Sequence, residues 1–423
     1  MIFTNARLIF PDGIRDGFEL VSEEGKITAI REQARSPGKD VADSPPGSSP
    51  SRAARPRRSA PTGSVVDLGG NYLAPGFVDL HVHGAVGRDT MEASAEAFRA
   101  ICGFHASGGT TSLLLTTATA PLNAILDVLN AVRACIPPLA LATASGLRSR
   151  STIRQIGGVH VEGPFISKVK CGAQRAEFIR NPSDAAVEPL LEHADVIKRI
   201  TIAPELPGAL EAIKNFHGHG ISVSGGHSDA WDEDTRAAFA LGMRSVTHVF
   251  NCMSSARRRG VHRIAGLLEC ALSEPQISCE LIADGHHVSA TLMKMLYRAK
   301  GAAGICLVTD ATAGAGLPDG SRFSLFGNDG IVEGGVCLLA DRSALAGSAS
   351  RMIDLVRTLV TDVEVPLHEA IAMATRNAAR AIGLKMKGQL AIGTDADLVV
   401  LSPNLEVQRT FAASEEIFSL DRQ

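Results

Sequence analysis

Eight short apolar runs recur between residues 77 and 310, separated by longer stretches of mixed polarity. They are FVDLHVH (77–83), TSLLLTT (111–117), IGGVHVE (156–162), RITIAPE (199–205), ISVSG (221–225), SVTHVF (245–250), ISCELIAD (277–284) and ICLVTD (305–310). Helix-like segments such as SAEAFRAICGFHASG and LMKMLYRAKG lie between most of them. Near-continuous apolar runs alternating with helices mean parallel strands covered on both faces. Eight such units predict an α/β fold, a (β/α)8 TIM-like barrel.

The flanks read differently. MIFTNARLIF, a PDG turn and FELVSEEGKITAI look like short strands, and KGQLAIGTDADLVVLSP returns to strands near the end. Two such ends can pair into one small β-domain, expected as a β-sandwich, beside the barrel. The expected boundaries are 1–74 and 385–423 for the two parts of that domain, with the barrel at 75–384. Residues 35–64 are rich in Ser, Pro, Ala and Arg, with almost no bulky apolar side chain. Such a composition cannot bury enough surface to order itself, so a disordered insert is expected there.

The chain has 423 residues, 45% hydrophobic and 21% charged, with a net charge of −3. This balance gives no electrostatic basis for nucleic acid or an anionic membrane surface as a partner. No apolar run approaches the ~18 residues that span a bilayer, and MIFTNARLIFPDG lacks a basic region followed by a long apolar one. The eight cysteines lack paired CxxC spacing and read as reduced thiols. The expectation is a cytoplasmic protein.

A buried-looking strand that ends on a carboxylate raises a question, because an unpaired buried charge is costly. The run IGGVHVE ends on Glu162, before Gly163-Pro164. Barrel enzymes place their chemistry at the C-terminal ends of the strands. At those positions stand His81 and His83, Glu162, His227, His248, Asp284 with His286 and His287, and Asp310. His81 and His83 are two apart on a strand and therefore face one side. Imidazole plus carboxylate without thiolate suits Zn, Fe, Co or Mn as a divalent cation. Glu162, His227 and His248 are the expected metal ligands, leaving an open position for water. A bound cation lowers that water's pKa towards ~7. Asp310 is the expected catalytic group, taking the water's proton and returning it to a leaving amine. His81 and His83 hold a second metal or hydrogen-bond to the groups that hold the first; both readings stay open.

These residues fall in LAPGFVDLHVHG, GVHVEGPFIS, SGGHSDA, THVFNCM, LIADGHHV, LVTDATAGAG and GTDADLVVL. In that order they resemble the amidohydrolase superfamily and, within it, the N-acetylglucosamine-6-phosphate deacetylase family. The resemblance covers nearly the whole chain outside 35–64. It implies a hydrolase of a linear amide, converting N-acetylglucosamine 6-phosphate and water to glucosamine 6-phosphate and acetate. It also implies one or two metals per subunit, a homodimer, and substrate contacts from Gln174, Asn251, Cys252 (backbone) and His287. Arg263 is the nearest match to the family's phosphate-binding arginine, and a guanidinium fork suits a phosphate. Two departures stand out. His262-Arg263-Ile264-Ala265-Gly266 replaces the family's His-Arg-Glu-Pro-Gly, and Gln174 stands where many members have a histidine.

The alternatives separate on residues. Dihydroorotase-like and hydantoinase-like enzymes bridge two metals with a modified lysine after strand four, where this chain has Ala203-Pro204-Glu205. A non-enzymatic scaffold would be expected to lose ligands. N-acetylgalactosamine 6-phosphate or an unphosphorylated N-acetyl amino sugar remains open as substrate, since one hydroxyl's orientation rests on a few loop hydrogen bonds.

Overall fold

The computed structural model describes residues 1–32, 64–136 and 153–422. The expected insert at 35–64 lies, apart from Ser64, outside the described residues. Eight parallel strands form the barrel: β1 (Phe77–Val82), β2 (Thr110–Thr116), β3 (Ile156–Glu162), β4 (Ile197–Ile202), β5 (Ser222–Gly225), β6 (Met243–Val246), β7 (Ser278–Leu281) and β8 (Ile305–Leu307). Each pairs with the next in sequence. Closure comes from a parallel bridge between Val82, the last residue of β1, and Ala311, just past the end of β8. Asp310 N–H donates to the His81 carbonyl at 2.9 Å, and His83 N–H donates to the Ala311 carbonyl at 2.8 Å. Asp79, wholly buried on β1, reinforces this seam by accepting from Thr309 Oγ1 at 2.6 Å. Burial pushes its carboxyl up to about 7.

Each apolar run yields a strand. Every residue of β1 and β2 is buried, as sheets covered by helices require. The helix Ala95–Ser107 between them starts where Ser94 Oγ accepts from Ala97 N–H. The helix Met352–Thr361 buries Met352, Val356 and Leu359 on one face at helical spacing.

The barrel interior is polar along one side, where branched aliphatics are the usual filling. Arg199, on β4, is wholly buried. Its Nη2 donates to Ser245 Oγ at 2.6 Å and to Ser224 Oγ at 3.1 Å. Thr201 and Thr247 hydroxyls meet at 2.8 Å, and His160 Nε2 lies 2.8 Å from Thr201 Oγ1. This ladder of hydrogen bonds rises from Arg199 to the upper rim.

Both ends of the chain meet in one eight-stranded sheet. Leu398–Leu401 runs antiparallel to Tyr72–Pro75, which runs parallel to Ile2–Phe10. Its core includes Phe3, Leu8, Leu20, Leu73, Leu398 and Phe411. A further three-stranded sheet, Arg322–Leu325, Asn328–Glu333 and Val336–Leu339, follows β8 ahead of the next helix. Among the described residues, no helix is long and apolar enough to cross a membrane.

Phe411 packs edge-on against Phe3, with ring centroids 5.2 Å apart. Phe411→Ala is expected to cost about 3–5 kcal/mol through the cavity it leaves. Thermal denaturation should show the loss, while metal content of the surviving folded protein stays at the wild-type value.

Candidate metal centre

Glu162 is the last residue of β3, so the ladder delivers its carboxylate to the rim. His81 lies in β1 and His83 just beyond it, pointing the same way. His227, His248 and Asp310 lie past the ends of β5, β6 and β8. Their backbones turn at positive φ: 46° at His227, 29° at His248 and 50° at Asp310. Non-glycine residues held there cost roughly 1–3 kcal/mol each. Hydrogen bonds from Ser167 N–H to His227 O and from Ser348 N–H to Asp310 O, both 2.8 Å, hold two of these turns in place.

The side chains converge. His81 Nε2 and His83 Nε2 are 3.1 Å apart, and so are His227 Nε2 and His248 Nε2. Glu162 lies between the two pairs. Its Oε1 is 3.1 Å from His248 Nε2 and 3.3 Å from His227 Nε2. Its Oε2 is 3.2 Å from His83 Nε2. Asp310 Oδ1 closes the other side, 3.4 Å from both His81 Nε2 and His83 Nε2. Two groups of potential ligands share Glu162: His81 with His83, and His227 with His248.

Burial alone would push Glu162 up and the imidazoles down. The mutual field is stronger: His81 and His227 hold Glu162 well below the usual carboxylate range. In turn Glu162 raises His81 and His227 well above the ordinary imidazole value, despite burial. Asp310, also desolvated, is held low by His81 and His83. Two ring nitrogens at 3.1 Å cannot both present lone pairs without a proton or cation between them. A divalent cation answers the same field as the protons and matches this N/O donor set, so the residues fit a divalent metal.

The far sides of two of the rings are held as metal-ligating imidazoles usually are. His83 Nδ1 faces the Thr116 carbonyl at 3.2 Å, and His227 Nδ1 faces the Lys170 carbonyl at 2.8 Å. Glu205, the residue that excluded a lysine bridge, accepts from Ser228 Oγ at 2.7 Å and Asp229 N–H at 2.6 Å, fixing the loop behind His227.

The other expected site residues divide. Gln174 joins the cluster: its Nε2 donates to Glu162 Oε2 at 2.7 Å, and its Oε1 accepts from Thr119 N–H at 2.8 Å. Cys252, at φ 46°, packs its sulfur against Gly172, where an added Cβ would sit 2.7 Å from Sγ. Asn251 Nδ2 donates to the His248 carbonyl at 3.3 Å. His287 Nδ1 lies 2.7 Å from Asp284 Oδ2, which raises the imidazole's pKa against the opposing effect of burial. Arg263 stands apart from the buried cluster, exposed on the hairpin Arg257–Arg259/His262–Ile264 and opposite Arg258.

Three contributors escaped the sequence reading. Phe326, in the turn between the first two strands of the extra sheet, sets its ring 4.8 Å from His83. Nothing in its local pattern marks it, since an insertion after β8 brings it there. Arg199 opens one apolar run and Glu280 stands inside another, a signal of the same kind as Glu162.

A barrel with buried histidines and carboxylates converging at its C-terminal rim has the make-up of a metal-dependent hydrolase, and the comparisons with known proteins make it one that acts on an amide. The chain belongs to the amidohydrolase family, whose profile matches residues 72–420. It is 32% identical over 415 residues to the N-acetylglucosamine-6-phosphate deacetylase of Lysinibacillus sphaericus, covering 98% of this chain and 96% of that protein. It is 33% identical over 348 residues to the N-acetylgalactosamine-6-phosphate deacetylase of Escherichia coli O157:H7, covering 82% and 88%. The crystal structure of N-acetylglucosamine-6-phosphate deacetylase from Pasteurella multocida superposes with a TM-score of 0.83 at 30% identity, over 98% of each chain.

Glu162→Ala removes the group shared by both halves of the cluster. Elemental analysis of the purified variant should find the metal lost; full occupancy would exclude Glu162 as a ligand. Gln174→Leu, which spares the ligands, should weaken metal retention by less than Glu162→Ala in the same assay.

Proposed function

We propose that this protein removes the acetyl group from N-acetylglucosamine 6-phosphate, releasing glucosamine 6-phosphate and acetate. The carrying observation is the shared carboxylate of Glu162 between two imidazole pairs, with Asp310 beside them. Glu162, His227 and His248 are proposed to hold one divalent cation, and His81 and His83 with Glu162 a second. When bound, such a cation supplies Lewis acidity towards water and the acetyl carbonyl.

The protein's own groups do the rest. Asp310 is held ionised by the neighbouring imidazoles, which suits it to take a proton from the attacking water. The water oxygen bonds to the acetyl carbon, the C–N bond breaks, and the same proton goes from Asp310 to the departing amine. His287 is oriented through its Nδ1 by Asp284, which leaves Nε2 for the substrate. Asn251 and the Cys252 backbone line the rim beside His248. Gln174 steadies Glu162 and keeps a second amide N–H for the acetyl oxygen. Arg263 is proposed to meet the sugar phosphate. Its exposure on a hairpin supports a contact made across a homodimer. A cytoplasmic location accords with reduced cysteines, and all eight are free.

The 33% identity to an N-acetylgalactosamine-6-phosphate deacetylase favours a second reading with the same chemistry and the epimeric sugar. Acetate release from N-acetylglucosamine 6-phosphate, N-acetylgalactosamine 6-phosphate and free N-acetylglucosamine separates them. Fast release from the first alone is expected. Faster release from another would move the substrate and keep the hydrolase. Asp310→Asn should lower kcat by about 10²–10⁴-fold while retaining metal; near-normal turnover would remove Asp310 from the proton transfers.

A further inference from the structure

Two opposite charges lie deep in the barrel beneath the metal centre. Arg199 on β4 is 0% exposed and Glu280 on β7 is 1% exposed. Arg199 Nε lies 2.8 Å from Glu280 Oε1. The N–H points off that line, so the contact is ionic without being a hydrogen bond. Desolvating two such groups is expensive, and apolar residues of similar volume usually serve stability as well or better. Stability therefore does not account for the pair.

The second carboxylate oxygen shows what does. Glu280 Oε2 lies 3.5 Å from His81 Nδ1. On the other side of that ring, Nε2 lies 3.1 Å from His83 Nε2 and 3.4 Å from both Glu162 and Asp310. A neutral imidazole has one N–H. With that proton on Nε2, the ring would aim hydrogen at the centre and could not ligate. With it on Nδ1, the bare Nε2 faces the other donors. His83 and His227 have neutral backbone carbonyls at this place. His81 has a carboxylate, a stronger acceptor that also raises the ring's basicity as a ligand. Arg199 is fixed by Ser222, Ser224 and Ser245. It therefore turns Glu280 Oε1 to itself and leaves Oε2 for His81.

We infer that Glu280, held by Arg199, is a positioning residue that keeps the His81 proton on Nδ1 and so completes the His81/His83 half of the centre as a cation site. This rests on the proposed reading of the cluster as a metal centre. Neither residue meets the substrate; the effect passes through the orientation and tautomer of His81.

The test uses the full-length protein loaded with ¹¹³Cd²⁺ and labelled with ¹⁵N-histidine. In the wild type, one-bond ¹⁵N–¹¹³Cd coupling is expected at Nε2 of both His81 and His83, with a slowly exchanging proton on His81 Nδ1. Coupling at His83 without His81, or through His81 Nδ1, overturns the assignment. Coupling at neither ring overturns this half of the centre, and the Glu280 assignment with it, while coupling at His227 and His248 keeps the first cation.

A double variant, Arg199→Met with Glu280→Leu, removes both charges and keeps the volume. In Zn²⁺ titrations followed by elemental analysis, its second, weaker binding step should move to about 10–100-fold higher free metal. The first step should stay within about twofold. Unchanged binding of both cations would overturn the proposal. If the double variant does not fold, the wild-type coupling pattern decides alone.

Discussion

A carboxylate held between two pairs of imidazoles sets the terms for the rest of this molecule. Glu162 is 2% exposed and sits at the top of a closed barrel, away from bulk water. Left alone there, its charge would be lost to protonation or would unfold its surroundings. Four histidines from three separate strand ends answer it at 3.1–3.4 Å. No local segment could bring those rings together. Only a closed ring of parallel strands gathers residues 81, 162, 227, 248 and 310 into one cluster, which is the physical reason such chemistry sits at the rim of a barrel.

The same requirement explains features that would otherwise weaken the fold. Three residues at the centre turn at positive φ, where non-glycine side chains are strained. The barrel interior gives up aliphatic packing for a ladder of hydroxyls, His160 and the Arg199–Glu280 pair. The surrounding structure holds these choices in place. The Asp79–Thr309 contact binds the seam between β1 and β8, and the helices pack a large apolar layer outside the strands. The mixed sheet from both ends of the chain adds a second core. Stability thus comes from the periphery, and the centre spends it on orientation.

Much of this was legible in the residues. The eight apolar runs each became a barrel strand, and IGGVHVE coincides with β3 from end to end. The histidines and carboxylates at the run ends were visible as exceptions to apolar patterning, and their sum pointed to a divalent cation. The reading was less complete where side chains act on one another. Gln174 was expected to meet the substrate; that its amide also engages Glu162 and the Thr119 backbone is set by the tertiary structure. Arg199 and Glu280 broke the apolar pattern of their own strands, the same exception that drew notice to Glu162. Their partnership links residues 81 positions apart, a distance that pattern reading does not cross. Phe326 gave no signal, because its place over His83 depends on a three-stranded insertion folding back over the rim.

The sequence by itself determined the strand count, the alternation with helices and the chemical types gathered at the strand ends. These follow from local polarity with periods of two and 3.6 residues, which any segment displays alone. The tertiary structure decided which nitrogen of each histidine faces inward, which oxygen of Glu162 meets which ring, and which residues stand behind them. Those are matters of tenths of an ångström and of single protons. They are fixed by closure of the barrel and by hydrogen bonds between strands far apart in the chain, and no local pattern encodes them.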